Sequence, residues 1–155
     1  MDPMTDELFP SPDLLHLARS TARLSVAAVL GGVLGFEREQ RGKAAGLRTH
    51  MLVALGAALF TLAPVEAGME LDGLSRVIQG VAAGIGFVGA GTILKRDDEE
   101  KIQGLTTAAS LWLTAAVGIA VAAGRLWLPL IAVLLAFFIL HVLGAIESWR
   151  QRGSQ

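Results

Sequence analysis

The chain has no cysteine, no tyrosine and no asparagine. Disulfides, thiolate zinc sites, cysteine nucleophiles, N-linked glycosylation and tyrosine-based chemistry are thereby excluded. Charge is scarce as well: Asp, Glu, Lys and Arg make up 17% of the residues, against about 25% in soluble domains. The formal net charge of −1 gives no electrostatic basis for a nucleic-acid partner. Residues 1–16 include Asp2, Asp6, Glu7 and Asp13 but no Lys or Arg, so the basic start of a secretory signal is missing. The long apolar runs carry no Asp or Glu at a central position. Ion carriers place ionisable groups on their path through the membrane, and magnesium prefers carboxylate oxygens. A stand-alone cation transporter is therefore disfavoured. No base is marked as a partner for Ser25 or Ser110, and no enzyme activity, metal site or cofactor is expected.

What the chain has in place of charge is hydrophobic length, with 53% of its residues apolar. Val77 to Leu94 is an uncharged run of 18 residues containing Gly80, Gly84, Gly86, Gly89 and Gly91. That length suits one helix crossing a hydrocarbon layer of about 30 Å. Glycine at this density suits a membrane helix whose backbone approaches a neighbour. Five apolar segments follow one another at 17–36, 49–65, 77–94, 105–124 and 126–146, joined by short connections. Lipid forces backbone groups to bond within their own segment, which makes these helices. The expected fold is all-α, an integral membrane bundle of five transmembrane helices in a single domain, 1–155. Residues 1–16 form a polar tail, 17–147 the bundle and 148–155 a cytoplasmic tail. Arg19 and Arg23 can snorkel to the interface, and Pro129 falls in a first helical turn, where it costs little. Nine of the 13 Lys and Arg residues fall on the side of the 36–48 and 95–104 connections and the C-terminal tail. The positive-inside rule then places the N-terminus outside and the C-terminus in the cytoplasm.

Small residues recur at spacing four in Gly31/Gly35, Gly80/Gly84 and Ala82/Gly86/Ala90. Gly80, Gly84, Gly86, Gly89 and Gly91 are the expected helix-packing positions, either within the bundle or between copies. Gly84-x-Gly86-x-x-Gly89 also matches the dinucleotide-binding pattern. It lies in mid-span, however, and lacks the strand and helix that give the pattern meaning.

Gly35 to His50, GFEREQRGKAAGLRTH, is the densest charged segment. Its plain reading is a salt-bridged loop with Glu37 and Arg41 paired at i, i+4. A sharper reading folds Glu37, Arg38 and Arg48 beneath the bundle, with Thr49 beside them, as a ligand or partner site. In the fourth segment Thr106, Ser110 and Thr114 share a face, with Thr107 alongside. Such hydroxyls bond back to their own helix or to a neighbour, or line a polar path; Thr106 and Thr107 join the candidate site. Gln79 and the Trp112 indole are expected to find partners in the bundle, and His141 to be a core histidine bonded to a carbonyl. Asp97 to Glu100 reads as a solvated turn, since it lacks calcium-loop spacing.

Three blocks, GFEREQRGKAAGLRTHMLVALGAALF (35–60), GIGFVGAGTIL (84–94) and GLTTAASLWLTAAVGIAVAAG (104–124), together resemble the membrane domain of the MgtC/SapB family. The resemblance covers roughly residues 20 to 145. It implies a bacterial inner-membrane protein linked to magnesium or membrane-energy homeostasis, stress and survival inside host cells. It further implies a non-enzymatic regulator acting through protein contacts, with a membrane complex such as ATP synthase as a partner class. The alternative is a small transporter or channel for an ion or small solute. The lipid bilayer is the surrounding medium and a homo-oligomer, a dimer favoured, the expected state. The soluble C-terminal domain of longer members is expected to be absent.

Overall fold

A computed structural model describes residues 13–95 and 102–144. Residues 1–12, which are most of the expected polar tail, the expected cytoplasmic tail and the acidic run 97–100 lie outside the described residues; residues 14–16, expected in the polar tail, instead open the first helix. The first helix, α1, runs Leu14–Gln40 and is capped by the Asp13 carboxylate, which accepts from the Leu15 amide at 3.4 Å. It passes well beyond the apolar stretch because Glu37, Arg38, Glu39 and Gln40 are good helix formers. A left-handed Gly42, φ 62°, stops it. There the Gly42 amide bonds the Glu39 carbonyl at 2.9 Å and the Lys43 amide the Arg38 carbonyl at 3.0 Å. This is the Schellman pattern, in which glycine is favoured because it has no Cβ to clash.

Helix α2 is Leu47–Glu66, α3 Leu71–Ala90, α4 Leu105–Ala122 and α5 Trp127–Phe138, the last continuing as a π-helical turn over Ile139–Leu143. Four helices are long and apolar enough to cross a membrane, and Trp127–Val142 forms a shorter apolar helix. The all-α bundle of five helices is therefore the observed fold. A further difference from the sequence expectation is that α3 begins six residues before Val77 and ends at Ala90. Asp72 and Arg76 stay helical because charges at the end of a span can remain in the interfacial layer. Beyond Ala90 a turn leads into a two-residue antiparallel ladder, β1 Leu94–Lys95 with β2 Ile102–Gln103.

Helices α1, α2 and α4 pack mutually and form the centre; α5 lies against α1 and α4, and α3 chiefly against α4. One apolar cluster joins Ala27, Leu30 and Leu34 of α1 to Ala58 and Leu62 of α2, Val117 and Val121 of α4 and Val133 of α5. The spans are buried to very different degrees. Half of the α4 window (50%) is buried, against 6% of the α3 window.

Close approach depends on glycines in the centre rather than on those of α3. A Cβ at Gly31 would lie 2.6 Å from the His50 carbonyl oxygen, and one at Gly118 only 2.2 Å from that of Ala54. At Gly80, Gly84 and Gly86 no atom of the described residues lies within 4 Å of such a Cβ. Of the expected packing positions, Gly89 meets Ala108 at 3.4 Å, while Gly91 has only its own turn nearby. The Gly31/Gly35 stripe thus packs within the chain, and the Gly80/Gly84 stripe has no close packing partner among the described residues.

Candidate functional site

The ends of α1, α3 and α5 and the starts of α2 and α4 meet at one end of the bundle. Gly35 makes this possible, since a Cβ there would stand 2.8 Å from the Gly46 oxygen, the Leu47 Cα and the His50 Cβ. Helix α2 therefore begins directly against the last turns of α1. Glu39 caps that start, its Oε2 accepting the Leu47 amide at 2.8 Å.

This packing closes over two charged residues, Glu37 and Arg38, each 3% exposed. Arg38 Nη1 faces Glu37 Oε2 at 3.4 Å, and Arg41 Nε reaches Glu37 Oε1 at 2.5 Å, one helical turn on. His141 Nδ1 stands 3.8 Å from the same Oε1. The π-helical turn carries His141 there, and its ring stacks on Phe137 at 4.4 Å between centroids. π-turns inside helices often mark functional positions. A carboxylate withdrawn from water needs such partners, because an unpaired buried charge is costly.

A second polar layer lies one turn deeper. His50, fully buried, places Nδ1 at 3.0 Å from the Gly46 carbonyl and Nε2 at 3.2 Å from Ser110 Oγ. A carbonyl only accepts, so Nδ1 carries the hydrogen. Nε2 then accepts, so the single Ser110 hydroxyl hydrogen is shared between it and the Thr107 carbonyl, 2.8 Å from Ser110 Oγ, while the Thr114 hydroxyl donates to the Ser110 carbonyl at 2.7 Å. His50 is thus a cross-link between α2 and α4. At the opposite end Arg23 Nη1 donates to the Ala122 carbonyl at 3.1 Å, and the Ser20 hydroxyl bonds Glu66.

Of the residues expected at the site, Glu37, Arg38 and Thr107 are buried together at this end. Arg48 and Thr106 are exposed and Thr49 is half-buried. The buried hydroxyl face of α4 is therefore Thr107, Ser110 and Thr114, rotated from the expected one. Three further expectations are corrected. Trp112 is 53% exposed, because its side of α4 faces outward. Gln79 is exposed on α3, with no partner for its amide among the described residues. His141 is not a core histidine but lies beside the Glu37 carboxylate.

Arg41, His141 and the His50–Ser110 link were not among the expected site residues. The i, i+4 spacing of Glu37 and Arg41 signalled the first, whereas no local pattern pairs residue 141 with residue 37. Among the described residues no three His, Asp or Glu side chains converge as a metal ion would need.

The second feature is an apolar groove of about 490 Å³ between α2 and α3, floored by Ala115 of α4. Gly56, Ala57, Gly80 and Gly84 line it, with Phe60 among its larger wall residues. The small residues make it deep, since no side chains fill it.

Fold and site define a membrane protein of bundled apolar helices, closed at one end by a buried ion pair. The MgtC family model matches residues 24–149, and the chain belongs to the MgtC family. It is 43% identical over 149 residues to protein SrpB of Synechococcus elongatus, covering 89% of this chain and 79% of that protein. It is 40% identical over 127 residues to the putative magnesium transporter YhiD of Escherichia coli, covering 77% of this chain and 58% of YhiD. It is 46% identical over 109 residues to protein MgtC of Brucella abortus, covering 70% of this chain and 44% of that protein. The chain thus spans about half the length of the latter two relatives. No solved structure matches the chain significantly.

Proposed function

We propose that the protein is a non-enzymatic regulator in the bacterial inner membrane, linked to magnesium or membrane-energy homeostasis and to stress or intracellular survival. It acts by receiving a transmembrane helix at the α2–α3 groove. The observation that carries this reading is the near-naked α3, 6% buried, with Gly80 and Gly84 opening onto empty space. Membrane helices associate where small residues let backbones touch, and this chain leaves such a surface unused. The His50, Ser110 and Thr114 side chains in its interior are engaged in internal hydrogen bonds, which favours glue over a solute path. The expected homodimer, or a heterologous partner such as ATP synthase, meets the chain at this groove. By the positive-inside rule the Glu37 end faces the cytoplasm, placing the N-terminus outside.

Because the chain lacks cysteine, Gly84→Cys provides a single thiol in the groove for cross-linking in native membranes. The expected result is an adduct at Gly84→Cys and none at Trp112→Cys, on the outer side of α4. Filling the groove with Gly84→Phe is expected to abolish association while leaving the monomer folded. The name of the Escherichia coli relative keeps transport as the second reading. Saturable magnesium uptake into liposomes holding only this protein, with no groove adduct, would replace the regulator by a transporter.

A further inference from the structure

Two buried polar side-chain atoms among the described residues lack a hydrogen-bond partner, Glu37 Oε1 and Arg38 Nε. The first already has a counter-charge in Arg41 Nε at 2.5 Å. Arg38 Nε has no such partner among the described residues. A guanidinium offers five N–H donors in a planar fork, yet Arg38 engages one nitrogen, with Glu37 Oε2 at a long 3.4 Å. Its Nε edge, the edge that grips carboxylate or phosphate with two parallel bonds, is unused.

The surroundings also favour an anion. Helices α2 and α4 begin at this end, at Gly46 and Gly104, and neither cap residue supplies a side-chain acceptor. Glu39 satisfies only the Leu47 amide. Helix starts carry partial positive charge and free amides. Arg38, Arg41, Lys43 and Arg48 outnumber Glu37 and Glu39 between residues 37 and 48. Arg41 and His141, with side chains 34% and 48% exposed, are the outward members of the cluster. The cluster sits where spanning helices end, the depth of lipid phosphates. Basic pockets between helices at that depth bind anionic head groups.

We propose that Arg38, with Arg41 at the entrance, binds a phosphate-type oxyanion. Glu37 keeps Arg38 oriented through Nη1 while the Nε edge receives the anion. The source is either the head group of an anionic phospholipid or free inorganic phosphate. This site stands apart from the α2–α3 groove, so the two proposals can fail independently.

The test is native mass spectrometry of the purified full chain in detergent. Phosphatidylglycerol, phosphatidylcholine and inorganic phosphate are titrated separately. Arg38→Lys retains the charge and loses the fork; Arg48→Gln removes an exposed arginine at the same end. The expected result is selective binding of phosphatidylglycerol over phosphatidylcholine, weakened about ten-fold by Arg38→Lys and not by Arg48→Gln. Binding of inorganic phosphate with the same dependence on Arg38 supports the site with a soluble source. If neither anion binds above the phosphatidylcholine level, the proposal fails. Equal loss in the two variants overturns it as well, since diffuse surface charge then suffices. Should Arg38→Lys not fold, Arg41→Gln, which changes a side chain already partly in solvent, must weaken anion binding. Unaltered binding there overturns the proposal.

Discussion

Gly118→Leu is expected to abolish the folded bundle, and Gly118→Ala to weaken it measurably. The Cβ that alanine introduces would stand 2.2 Å from the Ala54 carbonyl oxygen and 3.0 Å from the carbonyl carbon. These are backbone atoms of α2, so no side chain can rotate away to make room. Overpacking in a well-packed core costs about 1–3 kcal/mol even where side chains can adjust. Here α2 and α4 have to separate, and three further carbons in leucine deepen the clash. Separation also breaks the His50–Ser110 link and opens the cluster that includes Ala58, Leu62, Val117 and Val121. Gly86→Leu is the matched control. With nothing within 4 Å of its Cβ, it is expected to leave monomer stability within about 0.5 kcal/mol of the parent. Thermal unfolding in detergent, followed by protease resistance, separates the two. Parent-like resistance in Gly118→Leu, or collapse in Gly86→Leu, would show that the helices are arranged otherwise.

That contrast also marks what could be read in the chain. The lengths of the apolar runs were enough to give five helices and an all-α bundle. Those runs carry the lipid's demand for internally bonded backbone, a local property of each segment. The helix ends were less legible. Val77 looked like the start of the third helix because charge stops there, whereas α3 starts at Leu71, its charged turn extending the helix beyond the apolar run. The glycines were legible as packing residues but not as to which neighbour they pack on. Gly80 and Gly84 carry the same motif as Gly31 and Gly35, yet among the described residues only the second pair has a helix packed directly on it. The spacing of Ser110, Thr114 and Gly118, small residues four apart, held the clue to the α2–α4 contact. At the polar end, Glu37 with Arg41 was visible as an i, i+4 pair, and Glu37 with Arg38 as charges too near the bilayer to stay alone. Arg48 drew equal weight because it is equally charged, but its position one residue into α2 turns it outward. His141 belonged to the cluster only through the fold, since the π-helical turn that brings it to Glu37 has no signature in the sequence.

Glu37→Ala is expected to cost more stability than any other substitution of a charged residue among those described. Among the described residues it removes the only carboxylate facing Arg38, which is 3% exposed and whose side chain makes no other hydrogen bond there. It also releases Arg41 and His141, which converge on the same oxygen. Removing one partner of a buried pair costs about 3–5 kcal/mol, because the remaining charge is left without compensation. Arg41→Ala, which removes a side chain 34% exposed, is expected to cost under about 1 kcal/mol. The double change Glu37→Met with Arg38→Met tests the cause directly. Replacing both members of a buried pair by apolar side chains is often neutral or stabilising, by about 1–4 kcal/mol. The double variant should therefore regain most of what Glu37→Ala loses, as measured by denaturant or thermal unfolding in the same detergent. A double variant as unstable as Glu37→Ala would mean that the carboxylate holds the helices by shape rather than by charge. If stability returns while binding of phosphatidylglycerol is lost, the pair is retained for what it binds and not for the fold. That outcome separates a functional charge from a structural one at a position where burial alone makes the two look alike.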